Sequence, residues 1–217
     1  MEISVIVFPG SNCDRDIAVS LKKFSKQNPK MVWHKERSLP KSDLIVLPGG
    51  FSYGDYLRCG SMAANSPIMS EVIKNAESGA YIIGICNGFQ ILTELGLLEG
   101  ALTRNKNLNF ICDGAHLSVE STKSFWMKNY KKHDSISLPI AHGEGRFQCS
   151  SDVLKKLQDE DSIAFRYSNN PNGSLNDIAG ITDKKGNVLG MMPHPERACD
   201  VALGNIDGKS ILSTLLS

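Results

Sequence analysis

The chain has 217 residues, with 24 Lys and Arg against 23 Asp and Glu and a net charge of +1. That balance offers no basic excess for nucleic acid and no charge block for a solvated tail; 41% apolar and 22% charged residues are ordinary for a globular protein. No apolar run approaches the roughly 18–20 residues that span a bilayer, and the opening MEISVIVFPG, with an acid at Glu2 and no basic segment, reads as a buried strand, not a secretion signal.

Ile3–Phe8 is a β-rich run stopped by Pro9-Gly10. Asn12 or Asp14 then caps a helix whose Ile17, Leu21 and Phe24 share one face. Met31–His34 and Leu44–Leu47 are short strands, the second stopped by Pro48-Gly49-Gly50. Pro67 suits the first turn of a helix that buries Ile68, Val72 and Ala76 and ends at Gly79. Tyr81–Ile85 is another buried strand, followed at once by a helix that carries Phe89, Leu92 and Leu95 and closes at Gly96. Continuous apolar strands alternating with amphipathic helices predict an α/β, doubly wound fold, its mainly parallel sheet covered by helices on both faces. Beyond Ala101 come short β-like pieces: Ala115–Glu120, Ser135–Ile140, Ile163–Tyr167, Ile178–Thr182 and Val188–Met192. Turn-formers such as Asn170-Pro171-Asn172-Gly173 separate them, and they either extend the main sheet or make antiparallel edge strands. Ser210–Leu216 reads as a closing helix; with no repeat or linker, residues 1–217 are expected to form a single domain.

The six cysteines (Cys13, Cys59, Cys86, Cys112, Cys149 and Cys199) include no CxxC pair. Neither zinc spacing nor a disulfide framework is indicated, and free thiols in a reducing cytoplasm are expected. Cys86 differs from the rest. Gly84-Ile85-Cys86-Asn87-Gly88 joins the Tyr81 strand directly to the Phe89 helix, a G-x-nucleophile-x-G turn that thrusts the central side chain above the sheet edge. The thiol there lies at a helix N-terminus, which favours thiolate.

A thiol that makes and breaks acyl bonds needs a base, and the base an orienter. Of five histidines, His194 stands in Pro193-His194-Pro195-Glu196, after an apolar strand. Flanking prolines favour extended backbone, which would project His194 and Glu196 to one side. His142, in the glycine-rich His142-Gly143-Glu144-Gly145, is kept as a residue of a site loop. The Asn87 N–H and one from Gly49-Gly50 are candidate oxyanion donors. Phe51, Tyr53 and Tyr56 follow in a glycine-containing loop that reads as mobile and suited to a partner surface.

Pro48-Gly49-Gly50, Gly84–Gln90 and Pro193–Glu196 resemble the three signatures of class I, triad-type glutamine amidotransferases. FPGSNCDRD at Phe8–Asp16, GGFSYGDYLRCG at Gly49–Gly60, HGEGRF at His142–Phe147 and NPNGSLNDIAGI at Asn170–Ile181 narrow the likeness to the small glutaminase subunits of phosphoribosylformylglycinamidine synthases. The resemblance implies a flavodoxin-like glutaminase domain in which Cys86 attacks glutamine, His194 is the general acid and base, and Glu196 orients it. It implies Gly50 and Asn87 as oxyanion donors, and Gln90, His142, Gly143 and Glu144 as glutamine-pocket residues. It implies no metal or cofactor in this chain, in keeping with the absence of GxxxxGK[ST] and of a strand-linked GxGxxG. ATP and Mg are implied for a separate large synthetase subunit, with a small third subunit bridging the two. Two other readings compete: a cysteine peptidase or amidase-like hydrolase on a related fold, and a non-catalytic regulatory module that has kept the fold. The late Pro-His-Pro-Glu run argues against the first, and the intact triad against the second.

Overall fold

The computed structural model describes residues 1–55 and 59–214. Its first half alternates strand and helix: β1 (Ile3–Val7), α1 (Asp14–Ser25), β2 (Lys30–Trp33), β3 (Leu44–Leu47), α2 (Cys59–Ala64), α3 (Met69–Glu77), β4 (Tyr81–Ile85) and α4 (Asn87–Glu94). Its second half is mostly β: β5 (Ala101–Thr103), β6 (Ile111–Val119), β7 (Ser135–His142), β8 (Arg146–Gln148), α5 (Ser151–Asp159), β9 (Ile163–Tyr167), β10 (Ile178–Thr182), β11 (Val188–Met191) and the short α6 (Lys209–Ser213).

Nine strands form one sheet in the order β2-β1-β3-β4-β11-β10-β9-β6-β7. Pairings from β2 to β11 are parallel, and those from β11 to β7 antiparallel. The two alternatives left open by periodicity therefore hold together: β11 joins β4 in parallel, and the other late strands extend the main sheet from β11 in antiparallel pairs. All four residues of β3 are buried, as are four of the five in β4. Strands covered on both faces have no solvent side, so they read as unbroken apolar runs. Each buried Ile or Leu there stabilises the fold by about 1.5–3 kcal/mol. The β5–β8 ribbon stands apart as a two-stranded sheet.

Some local details depart from the sequence reading. Neither Asn12 nor Asp14 caps α1: Cys13 holds the N-cap position without a side-chain cap bond. Asn12 Oδ1 instead accepts from the Phe51 N–H at 3.3 Å, and Asp14 Oδ1 from the Arg15 N–H at 2.8 Å. The acids Asp14 and Asp16 in the first turn, with Lys22 and Lys23 in the last, suit the helix dipole without a cap. Strand β6 begins at Ile111, four residues before the expected Ala115, because Cys112, Asp113 and Gly114 pair with β7 while staying exposed. Helix α5, which the sequence reading did not mark, buries Leu157, packs Val153 and Leu154 half-buried against the core, and is capped by Ser150, whose side chain accepts from the Val153 N–H. The expected closing helix is seen as α6, and Leu215 and Leu216 lie outside the described residues.

The parallel strands β1, β3, β4 and β11 bring their carboxyl ends to one edge, where open α/β sheets place their sites. Close packing holds that edge. A Cβ on Gly88, the second residue of α4, would lie 1.9 Å from the Leu47 carbonyl oxygen at the end of β3. Gly→Ala inside a helix ordinarily stabilises. Here Gly88→Ala is expected to destabilise by about 1–3 kcal/mol through overpacking. Urea unfolding checks this, and an unchanged midpoint would contradict the close approach of α4 to β3.

Candidate active site

Each of those strand ends delivers one part of a single cleft. Cys86 follows β4 with φ 51° and ψ −105°, a conformation that costs a non-glycine residue on the order of 1–3 kcal/mol. Three backbone bonds hold it: its N–H donates to the Met191 carbonyl at 2.8 Å, and its own carbonyl accepts from Phe89 and Gln90 at 3.0 and 3.2 Å. The glycines of the turn are sterically required, since a Cβ on Gly84 would lie 2.5 Å from the Gly88 carbonyl oxygen. The Cys86 thiol faces the Ala141 carbonyl at 3.7 Å and sits at the N-cap of α4, whose dipole favours negative charge there.

His194 follows β11 and is fixed by its N–H, which donates to the Pro139 carbonyl at 2.8 Å. Its Nδ1 lies 2.6 Å from Glu196 Oε1, with both side chains buried. The contact is not made by alternation along an extended segment. His194 is extended, but Pro195–Arg197 is a 3-10 turn that folds Glu196 back under the imidazole. Proline is well suited to the first position of such a turn, which is why the prolines lead here to a turn. Burial alone pushes the His194 pKa down; the Glu196 carboxylate, then Cys86 and Cys13, outweigh it and hold the pKa well above the ordinary histidine value.

Gly49 and Gly50 follow β3. A Cβ on Gly49 would strike His194 Cε1 at 2.7 Å, and one on Gly50, where φ is +110°, would lie 2.4 Å from Asn12 Oδ1. Gly50, Cys86, Asn87, Gln90, His142, Gly143, Glu144 and His194 all line the cleft, so the structure brings together every residue marked by the sequence, with Glu196 directly behind His194. Gln90 bridges two of these segments: its Oε1 accepts from Asn87 Nδ2 and its Nε2 donates to the Glu144 carbonyl, both at 2.6 Å. Burial, and then the charge of His194, lowers the His142 pKa to about 4. The neutral ring donates from Nδ1 to Asn105 Oδ1 at 3.1 Å.

Sequence reasoning missed Asn105, which organises the His142 loop by donating from Nδ2 to the His142 carbonyl and accepting from the Gly145 N–H. It also missed Asn12, Cys13 and Arg197, which complete the cleft wall. Asn12 and Cys13 carried a signal, since they follow β1 at the same sheet edge as Cys86. The loop after Gly50 is more tied than it reads. Phe51 and Tyr53 donate their N–H groups to Asn12 Oδ1 and the Pro9 carbonyl, and the Tyr53 hydroxyl meets His34 Nδ1 at 3.1 Å. Tyr56 lies outside the described residues.

Three comparisons bear on this arrangement. Residues 1–210 match the family model of the CobB/CobQ-like glutamine amidotransferase domain. The chain is 70% identical over 217 residues to phosphoribosylformylglycinamidine synthase subunit PurQ of Prochlorococcus marinus strain NATL2A, covering 100% of both. It is 54% identical to the subunit of the same name from Nostoc sp. strain PCC 7120, covering 100% of the chain and 97% of the relative. Among solved structures it is similar to PurLQS from Thermotoga maritima, with TM-score 0.90, 44% identity and coverage of 100% of this chain and 98% of that one. A putative GMP synthase protein from Thermoplasma acidophilum, at 16% identity, TM-score 0.65 and coverage of 100% and 93%, shares the fold.

Proposed function

The chain belongs to the CobB/CobQ-like glutamine amidotransferase family, and on that footing we propose that it serves as the glutaminase subunit of a phosphoribosylformylglycinamidine synthase in purine biosynthesis, with Cys86 as its nucleophile. The observation that carries the reading is the strained Cys86 turn placed in one cleft with a buried His194–Glu196 pair. The Cys86 thiolate adds to the side-chain amide carbon of glutamine, and the carbonyl electron pair moves onto oxygen. The N–H groups of Gly50 and Asn87 stabilise that oxyanion. His194, held protonated by Glu196, gives its proton to the amide nitrogen; the C–N bond breaks, releasing ammonia and leaving a γ-glutamyl thioester. The imidazole then takes a proton from water as it attacks the thioester; the C–S bond breaks, restoring the Cys86 thiolate and protonated His194, and the new carboxyl group leaves as glutamate after losing its proton to solvent. Gln90, His142, Gly143 and Glu144 hold the rest of the amino acid. The single domain carries no acceptor chemistry, so the ammonia passes to a large synthetase subunit that uses ATP and Mg, with a small third subunit bridging the two. The complex works in the cytoplasm. Among the described residues no helix is long and apolar enough to cross a membrane.

Ammonia made without an acceptor wastes glutamine, so the isolated chain is expected to be a poor glutaminase. One misaligned oxyanion donor costs about 10²–10³-fold, and docking against the Gly50 loop has only to supply that difference. The experiment measures glutamate release by the chain alone and then with the synthetase, its nucleotide substrate and ATP. The expected rise is about 10²–10³-fold; an unchanged turnover number refutes the coupling.

A further inference from the structure

We propose that the cleft contains an inhibitory site for a thiophilic divalent cation such as zinc, held by Cys13, His194 and Glu196. The proposal rests on the triad roles given above for its effect on turnover, but not for the binding itself. The Cys13 sulfur, an imidazole nitrogen of His194 and a carboxylate oxygen of Glu196 all lie within 4.8 Å of one another. Ligands of one tetrahedral zinc, bound at about 2.0–2.3 Å, stand about 3.3–3.8 Å apart, so small side-chain shifts close the set around an ion. All three residues are buried. A second observation points to a ligand: Glu196 Oε2 is buried and has no hydrogen-bond partner among the described residues. Buried polar atoms are rarely left so, and each such atom asks for a partner.

The local chemistry suits a cation. Arg197 Nη2 stands 3.0 Å from Cys13 Sγ and donates to it, which fixes the sulfur on the cleft wall. When zinc binds, the Cys13 thiol and the protonated His194 ring each give up one proton to solvent, and the Cys13 thiolate sulfur fills the first position. A carboxylate oxygen of Glu196 and a deprotonated nitrogen of His194 fill two more, and water takes the fourth. The set is one soft sulfur, one imidazole and one carboxylate, which suits zinc or cadmium far better than magnesium. An ion so placed removes the orienter from the imidazole and the proton from the base. Cys86 stays chemically intact, so the inhibition reverses when the metal is withdrawn.

The test uses the full chain with Cys86→Ala, which removes the nucleophile as a competing ligand, titrated with cadmium as an optical probe. One equivalent should bind with a thiolate-to-cadmium ultraviolet band. Adding Cys13→Ser, which keeps the size of the side chain, should abolish the band, and adding Glu196→Gln should weaken binding at least tenfold. Thermal melts of each variant verify folding. In parallel, zinc should inhibit glutamine-dependent turnover of the Cys86-containing complex, and a chelator should restore it. Cys13→Ala should raise the half-inhibiting zinc concentration at least tenfold. A band that survives Cys13→Ser, or no binding at all, overturns the site. Binding as expected with glutaminase turnover unaffected leaves the site standing and overturns the catalytic roles given to His194 and Glu196.

Discussion

Replacing Cys86 by Ser is expected to cut glutamine-dependent synthesis by about 10⁴-fold or more while leaving the complex able to use added ammonium salts. The substitution changes one atom on a turn whose backbone bonds to Met191, Phe89 and Gln90 do not involve the side chain, so the fold should persist. A hydroxyl at that position ionises far less readily than a thiol, and a single histidine aimed at thiol chemistry does not make up the difference. The ammonium bypass follows from the proposal that the acceptor chemistry belongs to a separate synthetase subunit. A glutamine-like electrophile supplies the complementary measurement, with peptide mapping of the label. Cys13 lines the same cleft, so selectivity for Cys86 is a demanding requirement. Label spread equally over Cys13 and Cys86, or a serine variant retaining more than about a hundredth of the glutamine-dependent rate, would remove Cys86 from the role assigned to it.

That Cys86 could be singled out at all shows which kinds of information were local. The inner strands β1, β3 and β4 have no solvent face, so they appear as apolar runs punctuated by Pro and Gly, and each is found within one residue of its expected end. The Cys86 turn is local too, because its two glycines are demanded by contacts a few residues apart and by the neighbouring strand. What was not legible depends on partners distant in sequence. Nothing near Asn105 announces that it will be fully buried under the His142 loop 37 residues away. Cys13 resembled any other buried thiol until β1 and β11 were set on one edge and Arg197, 184 residues later, reached its sulfur. Helix α5 was missed for a different reason: its apolar face is short, with Leu157 buried and Val153 and Leu154 packed half-buried against the core. Whether the late strands extend the main sheet or make an antiparallel edge was undecidable because a short strand does not reveal its neighbour, and the pairings from β11 through β10, β9 and β6 to β7 resolve it.

Glu196→Gln is expected to slow glutamine hydrolysis less than His194→Ala does, and to change its pH profile as well. Removing the imidazole eliminates proton transfer to the leaving ammonia and from the attacking water, worth roughly 10²–10⁴-fold. An amide oxygen at residue 196 can still accept the Nδ1–H bond now made at 2.6 Å, so orientation is partly kept. A gap of about tenfold or more between the variants, ~1.4 kcal/mol in barrier, is anticipated. The pH signature separates charge from geometry. In the native site, burial depresses the imidazole pKa, but the Glu196 carboxylate outweighs it, so the proton is held well above the ordinary range. With glutamine there, burial goes unopposed by that charge, and the alkaline limb of kcat/KM should move to lower pH. The same sign governs stability. A histidine whose folded pKa is raised contributes stability fully below its unfolded value of about 6.5, and that contribution fades as pH rises through the folded pKa. Native protein should therefore exceed Glu196→Gln in Tm most clearly below about pH 6.5, with the gap shrinking toward alkaline pH. Equal kinetic losses in two folded variants would mean that Glu196 does more than orient and charge the imidazole. An unshifted pH profile would mean that the proton on His194 is held by something other than this carboxylate.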